Sequence, residues 1–562
     1  MVVLFLWSIA AAWYGLQAGS HAAEGLDEVD AVRRDSSPDA LLQGTAAASL
    51  DDAAEEFDQA HAAVRNPILT PLRLVPVVGA QVDAARSLTG AARDGAVAAH
   101  RAVSRLDDLA ASPPSAGPER VAALHELADV TDEAYRDLQG IDVGSGDHLV
   151  GPLGDARGRI LEARQKALDG LRKARVATAA AARLFEGPNR YLLVASNNAE
   201  MRAGSGMFLS AAEIVAEDGR LRLGAVNPTA DLVLPEGTIP VSGDLQTNWG
   251  WLDPANDFRN LGLTPDFPTS AALATRMWPH TAGGREVDGV IAVDVRGLAG
   301  LLRVTGPVEV DGVSYAADTI EQQLLRDQYV AFGTAAERRD RLGEVASAVF
   351  DSLERTRWPV DVLADEMWRA VILRHLMVWS KDPKEAEAWR LAGADGSLDS
   401  HSLTVSVINR GSNKLDQFLA TASTVSTRRL PNGRTKVSMA IRLDNQTPDG
   451  QPAYVAGPNG PDKAANRYDG VVSVNVPGAS TDVRLKGGVY ATVDGRDGPT
   501  RVVAALVRVP QGRATTLDAS FVLPADVTTL QLLPSARIPP MTWEIDGVAV
   551  DDHRQVVTLT TG

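Results

Sequence analysis

The chain contains no cysteine. That absence excludes disulfides, thiolate metal sites and a cysteine nucleophile, whatever the compartment. Cations are also in deficit: 55 Lys and Arg against 72 Asp and Glu leave a net charge of -17. Such a balance disfavours nonspecific binding to nucleic acid or anionic lipid, and no nucleic-acid partner is expected. Several catalytic signatures are missing. The sequence has no Walker-type phosphate loop, no His-Glu-x-x-His zinc helix, no Gly-x-Ser-x-Gly elbow and no dinucleotide fingerprint. His61, His100 and His125 stand singly, without ligand spacing, and His280, His375 and His401 lack the support a triad base needs. No metal-ligand set emerges from the residues.

What is present suits globular structure. Hydrophobic residues make up 45% and charged residues 23% of 562 positions, a length for about three to four domains. Residues 2–17 are almost entirely apolar and include Trp7, Trp13 and Tyr14. At about 1.5 Å per residue this run is slightly short for a bilayer core of roughly 30 Å. No cationic segment precedes it, which fits either a start lying upstream or an atypical signal peptide. A single membrane anchor over residues 1–18 is the preferred reading. No later run is long and apolar enough to span again.

Residues 24–186 read as helices. Alanine is abundant and apolar residues recur three and four apart. Asn66-Pro67, Pro71, Pro76, Ser112-Pro113-Pro114 and Gly144 to Gly146 break the pattern. A helical bundle of four or so segments follows, acting as a spacer or an oligomerisation module. Residues 190–398 mix strands and helices, with strands over 191–195, 207–216, 221–226 and 289–293 and a helix over 361–379. From residue 402 the pattern alternates, with turns such as Pro431-Asn432-Gly433. Residues 402–562 read as an antiparallel β-sandwich of immunoglobulin-like type. The expected fold class is thus multidomain α+β: membrane helix, helical bundle, mixed-sheet α/β domain and β-sandwich.

The most informative stretch is RYLLVASNNAEMRAGSG, residues 190–206. A buried strand runs into Asn197, Asn198, Glu200 and Arg202, where an α/β sheet places its ligand groups. Gly204 and Gly206 let backbone approach a ligand closely and permit positive φ. Arginine offers a fork of donors suited to phosphate or carboxylate. Asn256, Asp257, Arg259 and Asp266 belong to the same polar constellation, which Arg338, Arg339 and Arg341 extend.

This stretch resembles the start of the domain of unknown function 4012 family, found in envelope proteins of actinobacteria and other bacteria. The resemblance continues through Asp266-Phe267-Pro268-Thr269-Ser270-Ala271, through VDGVIAVDVRGLAGLLRVTGPVEVDG at residues 287–312, and through NRGSNKLD at residues 409–416. A more distant similarity links it to the LytR-CpsA-Psr phosphotransferases, which move glycopolymers from a polyprenyl-pyrophosphate carrier to the cell wall. Arg202 resembles the arginine of their Arg-Ser-Asp block. Asn256 falls in the segment resembling their Asn-His-Ala-Tyr loop, and Arg338 or Arg339 resembles the arginine of their Arg-Gln-Gln helix. The chain departs from that pattern at Ala203-Gly204, where the relatives carry a metal-supporting Asp, and it lacks a clear Pro-Arg-Asp block.

The resemblance implies a protein at the cell membrane, single-pass, with the bulk of the chain extracytoplasmic. It implies binding of a polyprenyl-pyrophosphate-linked glycopolymer, a cell-wall polymer or a related phosphate ligand. Arg202, Glu200 and Asp257 are the candidate catalytic residues, with Mg²⁺ as the metal if one takes part. Asn197, Asn198, Asn256, Arg259, Asp266, Arg338 and Arg339 are the candidate substrate contacts. Arg202, Asn256 and one of Arg338 and Arg339 are expected to share a cleft. Asn413, Lys414 and Asp416 either project back onto that cleft or build the domain junction, the latter being preferred. The alternative function is a noncatalytic envelope scaffold engaging other proteins or wall polymers, with homo-oligomerisation through the helices.

Overall fold

The computed structural model describes residues 20–22, 45–75, 77–149, 151–331, 335–458, 460 and 463–559, with backbone alone for 45–46 and 335–340. The chain forms two compact units: Met1–Arg183 with Arg357–Asp365, and Leu184–Thr356 with Glu366–Gly562.

The first unit is helical, with α1 Thr45–Val64, α2 Val78–Ala111, α3 Pro118–Gly140 and α4 Gly151–Glu186. Small residues let α1 and α2 approach closely: Ala53, Ala54 and Phe57 pack on Ala96, and Ala63 and Val64 on Ala85. The chain turns between them through a 3-10 segment, Pro67–Leu74, capped by Asn66, whose Oδ1 accepts from the Ile68 N–H at 3.1 Å. The segment Arg357–Asp365 docks at the start of α3. There Trp358 stacks under the buried Arg120 guanidinium, 4.1 Å from ring centre to Cζ.

In the second unit a mixed sheet runs in the order β3-β2-β1-β5-β8, with β4 paired to β2. Its strands are β1 Asn189–Met201, β2 Gly206–Glu217, β3 Arg220–Leu223, β4 Asn227–Pro228, β5 Gly289–Asp294 and β8 Leu376–Ser380. A separate short hairpin, β6 Val308–Val310 with β7 Val313–Tyr315, lies between β5 and β8 in sequence. Among the described strands of this sheet, only β1 and β5 are parallel neighbours. β1 is buried from Tyr191 to Met201: its apolar run Tyr191 to Ala195 fits the centre of a covered sheet, and the polar residues Ser196, Asn197, Asn198 and Glu200 are buried beyond it. One face of the sheet packs Leu192, Val194 and Val290 against Phe258, Leu273 and Trp278, with Phe258 edge-on to Trp278 at 6.2 Å.

Two six-stranded sheets follow, ordered β13-β16-β11-β10-β18-β19 and β14-β15-β12-β9-β17-β20. Their strands are β9 Ser402–Asn409, β10 Leu419–Arg429, β11 Thr435–Asn445, β12 Tyr468–Pro477, β13 Thr481–Lys486, β14 Tyr490–Asp497, β15 Thr500–Val509, β16 Ala514–Leu523, β17 Thr529–Leu532, β18 Thr542–Ile545, β19 Val548–Val550 and β20 Gln555–Thr558. Ile408, Val471, Val502 and Ala504 of the second sheet pack against Ala203, Trp249, Leu252 and Leu263 of the α/β part. That contact explains why β9 and β12 are buried on both faces.

Three expectations are corrected here. The membrane helix over residues 1–18 lies outside the described residues. Among the described residues no helix is long and apolar enough to cross a membrane, so the architecture is a mixed α/β chain with several sheets. The sandwich is not purely antiparallel, because late strands return alongside early ones: β18 pairs parallel with β10, and β17 with β9. The helix expected over residues 361–379 stops at Ile372. Arg374 adopts φ 63°, a value that ends helical progression. The apolar run after it becomes β8, antiparallel to β5.

Candidate functional site

Beyond Ser196, β1 outruns its pairing with β5, and its register with β2 shifts twice, after Ala195 and after Asn197. Such irregularities re-aim side chains. Neither Gly204 nor Gly206 has positive φ; close approach is what they supply. A Cβ on Gly206 would stand 2.4 Å from the Asn197 carbonyl carbon, and one on Gly204 2.7 Å from the Arg374 guanidinium.

The re-aimed strand end forms one wall of a cavity of about 550 Å³. Asn197, Glu200 and Arg202 line it beside Asp257 and Arg259, and Tyr329, Arg410, Lys414 and Tyr454 close it from later parts of the chain. Met207, Leu209 and Leu342 supply apolar wall. Four cations thus meet two carboxylates, in a protein that is strongly acidic overall.

The cations are held differently. Arg202 is buried and anchored by carbonyls alone: Nε donates to Arg259 O at 2.8 Å, and Nη1 to Met201 O at 3.2 Å and Asn409 O at 3.4 Å. Burial pushes its pKa down to about 10, Arg410 adds to that push, and Glu200, Asp416 and Asp257 only partly offset it. Arg259 grips Asp257 in a fork, Nε to Oδ1 at 2.9 Å and Nη2 to Oδ2 at 2.6 Å. Lys414 meets Glu200 at 2.5 Å. Burial opposes the charge on Lys414, yet Glu200 and the neighbouring tyrosines hold its pKa above the ordinary value. Lys414 also stands 5.4 Å from the Tyr454 ring centre, and Tyr454 packs on Tyr329 at 5.8 Å. Arg410 is the exception. Among the described residues its guanidinium has neither an acidic partner nor a hydrogen-bond acceptor, and burial pushes its pKa down.

The doubled asparagine splits. Asn197 lines the cavity, its Nδ2 donating to Tyr329 Oη at 3.0 Å. Asn198 turns away, donating to Asp294 Oδ2 at 2.7 Å and Ala536 O at 2.8 Å. Asp294 also pairs with His375 at 2.6 Å, both fully buried, and caps the helix Val295–Thr305. Asn256 and Asp266 do not line the cavity. Asn256 serves its loop, accepting from Leu234 N at 2.7 Å, and Asp266 caps the helix Phe267–Met277 through Thr269. Arg338 and Arg339 lie on the helix Ala335–Arg355, but their side chains fall outside the described residues. Arg341 pairs with Asp311 at 2.9 Å.

Residues 186–329 match the family model described as Protein of unknown function (DUF4012). This segment belongs to the DUF4012 family. No curated protein matches the chain. The DUF4012 segment supplies Asn197, Glu200, Arg202, Asp257, Arg259 and Tyr329, whereas Arg410, Lys414 and Tyr454 lie beyond it. The NRGSNKLD block does both things considered for it. Lys414 projects into the cavity, while Asp416, fully buried, ties the junction by accepting from Met201 N, Asn409 Nδ2, Tyr468 Oη and Arg537 Nη1. Sequence reasoning missed Arg410, Tyr329 and Tyr454. Only for Arg410 was there a signal, a cation directly after a buried strand and before a glycine.

The donor set does not suit Mg²⁺. Glu200 is committed to Lys414 and Asp257 to Arg259, and a hard cation needs several free oxygen ligands. Among the described residues no group of three or more His, Asp or Glu side chains could hold a metal.

Proposed function

We propose that the cavity holds the phosphate or pyrophosphate end of a polyprenyl-linked glycopolymer, or a related phosphate ligand, in the cell envelope, and that it does so without Mg²⁺. The observation that carries this reading is Arg410, a partly desolvated guanidinium on the wall with no anionic partner among the described residues. A desolvated cation is costly until an anion meets it. Arg202 and Arg259 stand on the same wall with rigid, pre-set frames, so little ordering remains to be done on binding. Asn197 and Tyr329 add neutral polar groups, and Met207, Leu209 and Leu342 an apolar flank for a lipid or sugar face. Both carboxylates are neutralised by cations, which favours holding the ligand over transferring it. Kinship with the LytR-CpsA-Psr enzymes is part of this proposal.

The test is thermal unfolding of the whole chain titrated with farnesyl pyrophosphate, with and without Mg²⁺. A ligand that binds only the native state raises the melting temperature. The expected result is a saturable rise that is indifferent to Mg²⁺. Arg410→Gln, which breaks no side-chain hydrogen bond or ion pair among the described residues, should weaken binding roughly tenfold or more, the worth of one charge-assisted hydrogen bond. No rise at high ligand, or a rise that requires Mg²⁺, overturns the reading.

A further inference from the structure

Arg410 belongs to a second group of cations outside the cavity. In the sheet, Asn409 of β9 sits opposite Gly470 of β12, and Asp469 sits opposite Arg508 of β15. The register sets the backbone of Arg410 and the side chain of Arg508 beside Asp469, whose carboxylate Lys463 and Arg467 reach from the segment just before β12. The Arg410 N–H donates to Asp469 O at 2.9 Å, and its carbonyl accepts from Lys463 Nζ at 2.5 Å. Asp469, almost fully buried, is taken up by the Arg467 fork, with Nε and Nη2 each at 2.9 Å. Lys463 and Arg508 reach it only at 3.9 Å each, the edge of ion-pair range. Arg508 is half exposed. Burial and then the repulsion of Arg410, Arg467 and Arg508 hold the Lys463 pKa below its ordinary value, against the pull of Asp469. Among the described residues, one carboxylate thus stands among three cationic side chains, those of Lys463, Arg467 and Arg508.

We infer that this rim is a second anionic subsite, and that the ligand of the cavity continues as an acidic glycopolymer whose next charged group rests on Lys463 and Arg508. The inference rests on the cavity reading, with Arg410 as the shared member of both subsites. A phosphodiester or a carboxylate in the repeat would satisfy the rim equally. Nucleic acid is disfavoured by the acidity of the whole chain, which repels a long polyanion outside this patch.

The experiment is calorimetric titration of the whole chain with four probes: pyrophosphate, a glycerol phosphate hexamer, hexagalacturonate and maltohexaose 1-phosphate. The last has a single anionic end. The wild type should bind the phosphodiester or the uronate hexamer at least roughly tenfold tighter than maltohexaose 1-phosphate, and the advantage should shrink with added salt. The double variant Lys463→Gln/Arg508→Gln, which leaves every cavity-lining residue in place, should lose that advantage and keep its pyrophosphate affinity. A double variant that retains the preference, or a wild type without one, overturns the inference. Equal affinity for hexa-adenylate overturns the glycopolymer assignment. Failure of the wild type to bind pyrophosphate overturns the cavity reading instead.

Discussion

Lys414 and Glu200 meet at 2.5 Å with side chains only 7% and 9% exposed. Desolvation makes such a pair expensive to form and more expensive to break, because the survivor is left charged and alone. Lys414→Met should therefore destabilise the second unit by about 3–5 kcal/mol. Adding Glu200→Gln should return much of that loss, since no lone charge remains. Equilibrium denaturation of the two variants checks this. Equal stability of the single and double variants would mean that the pair is not coupled. At this scale the sequence is informative where a side chain's setting is local. Arg202 and Glu200 are legible because they close a buried apolar run. Arg410 carries the same signal at the end of a buried strand, but its place on the wall, like that of Tyr454, depends on packing between segments far apart in sequence. Asn198 misleads for a related reason: a bulge turns it from the cavity towards Asp294 and Ala536.

Among the elements, the end of β14 ties the sandwich to the loop ahead of Phe267–Met277. Asp497 accepts from Thr264 Oγ1 at 2.9 Å and from Asn475 Nδ2 at 2.9 Å. Burial, with Asp266 and Asp244 adding to it, raises its pKa from 3.8 to about 6. The folded state therefore keeps this proton after the unfolded chain has released it. Stability from this group is full below about pH 4 and falls as pH rises through 6, by at most roughly 3 kcal/mol. Melting curves between pH 4 and 7 should show Asp497→Asn losing less stability over that window than the wild type. Parallel curves would disprove the assignment. Helices and β1 are readable as elements because their periodicity is unambiguous. The segment at 361–379 is not: Leu376 to Trp379 continues an apolar helical face on paper, and only its pairing with β5 makes it a strand.

For the whole molecule, the DUF4012 match is shorter than the body that folds. Its sheet needs β8, and its strand β1 ends on Asp416, whose carboxylate also takes Arg537 with both side chains 0% exposed. A fragment of residues 184–329 should show no cooperative unfolding, whereas residues 184–562 should melt in one transition. Calorimetry of the two fragments decides it, and a cooperative short fragment would show that the sandwich is dispensable. The succession of helical, mixed and strand-rich stretches along the chain is legible from composition; this mutual dependence is not, because it rests on single buried contacts. The same contacts impose a schedule. Asn198 leans on Ala536, 338 positions later. At roughly 5–20 residues per second that interval lasts about 17–70 s of synthesis. The cavity itself is lined as far along the chain as Tyr454, so until that residue is made a nascent chain can neither capture a ligand nor be rescued by one. Whatever keeps the half-built strand β1 from pairing elsewhere in that interval has to be something other than its own ligand.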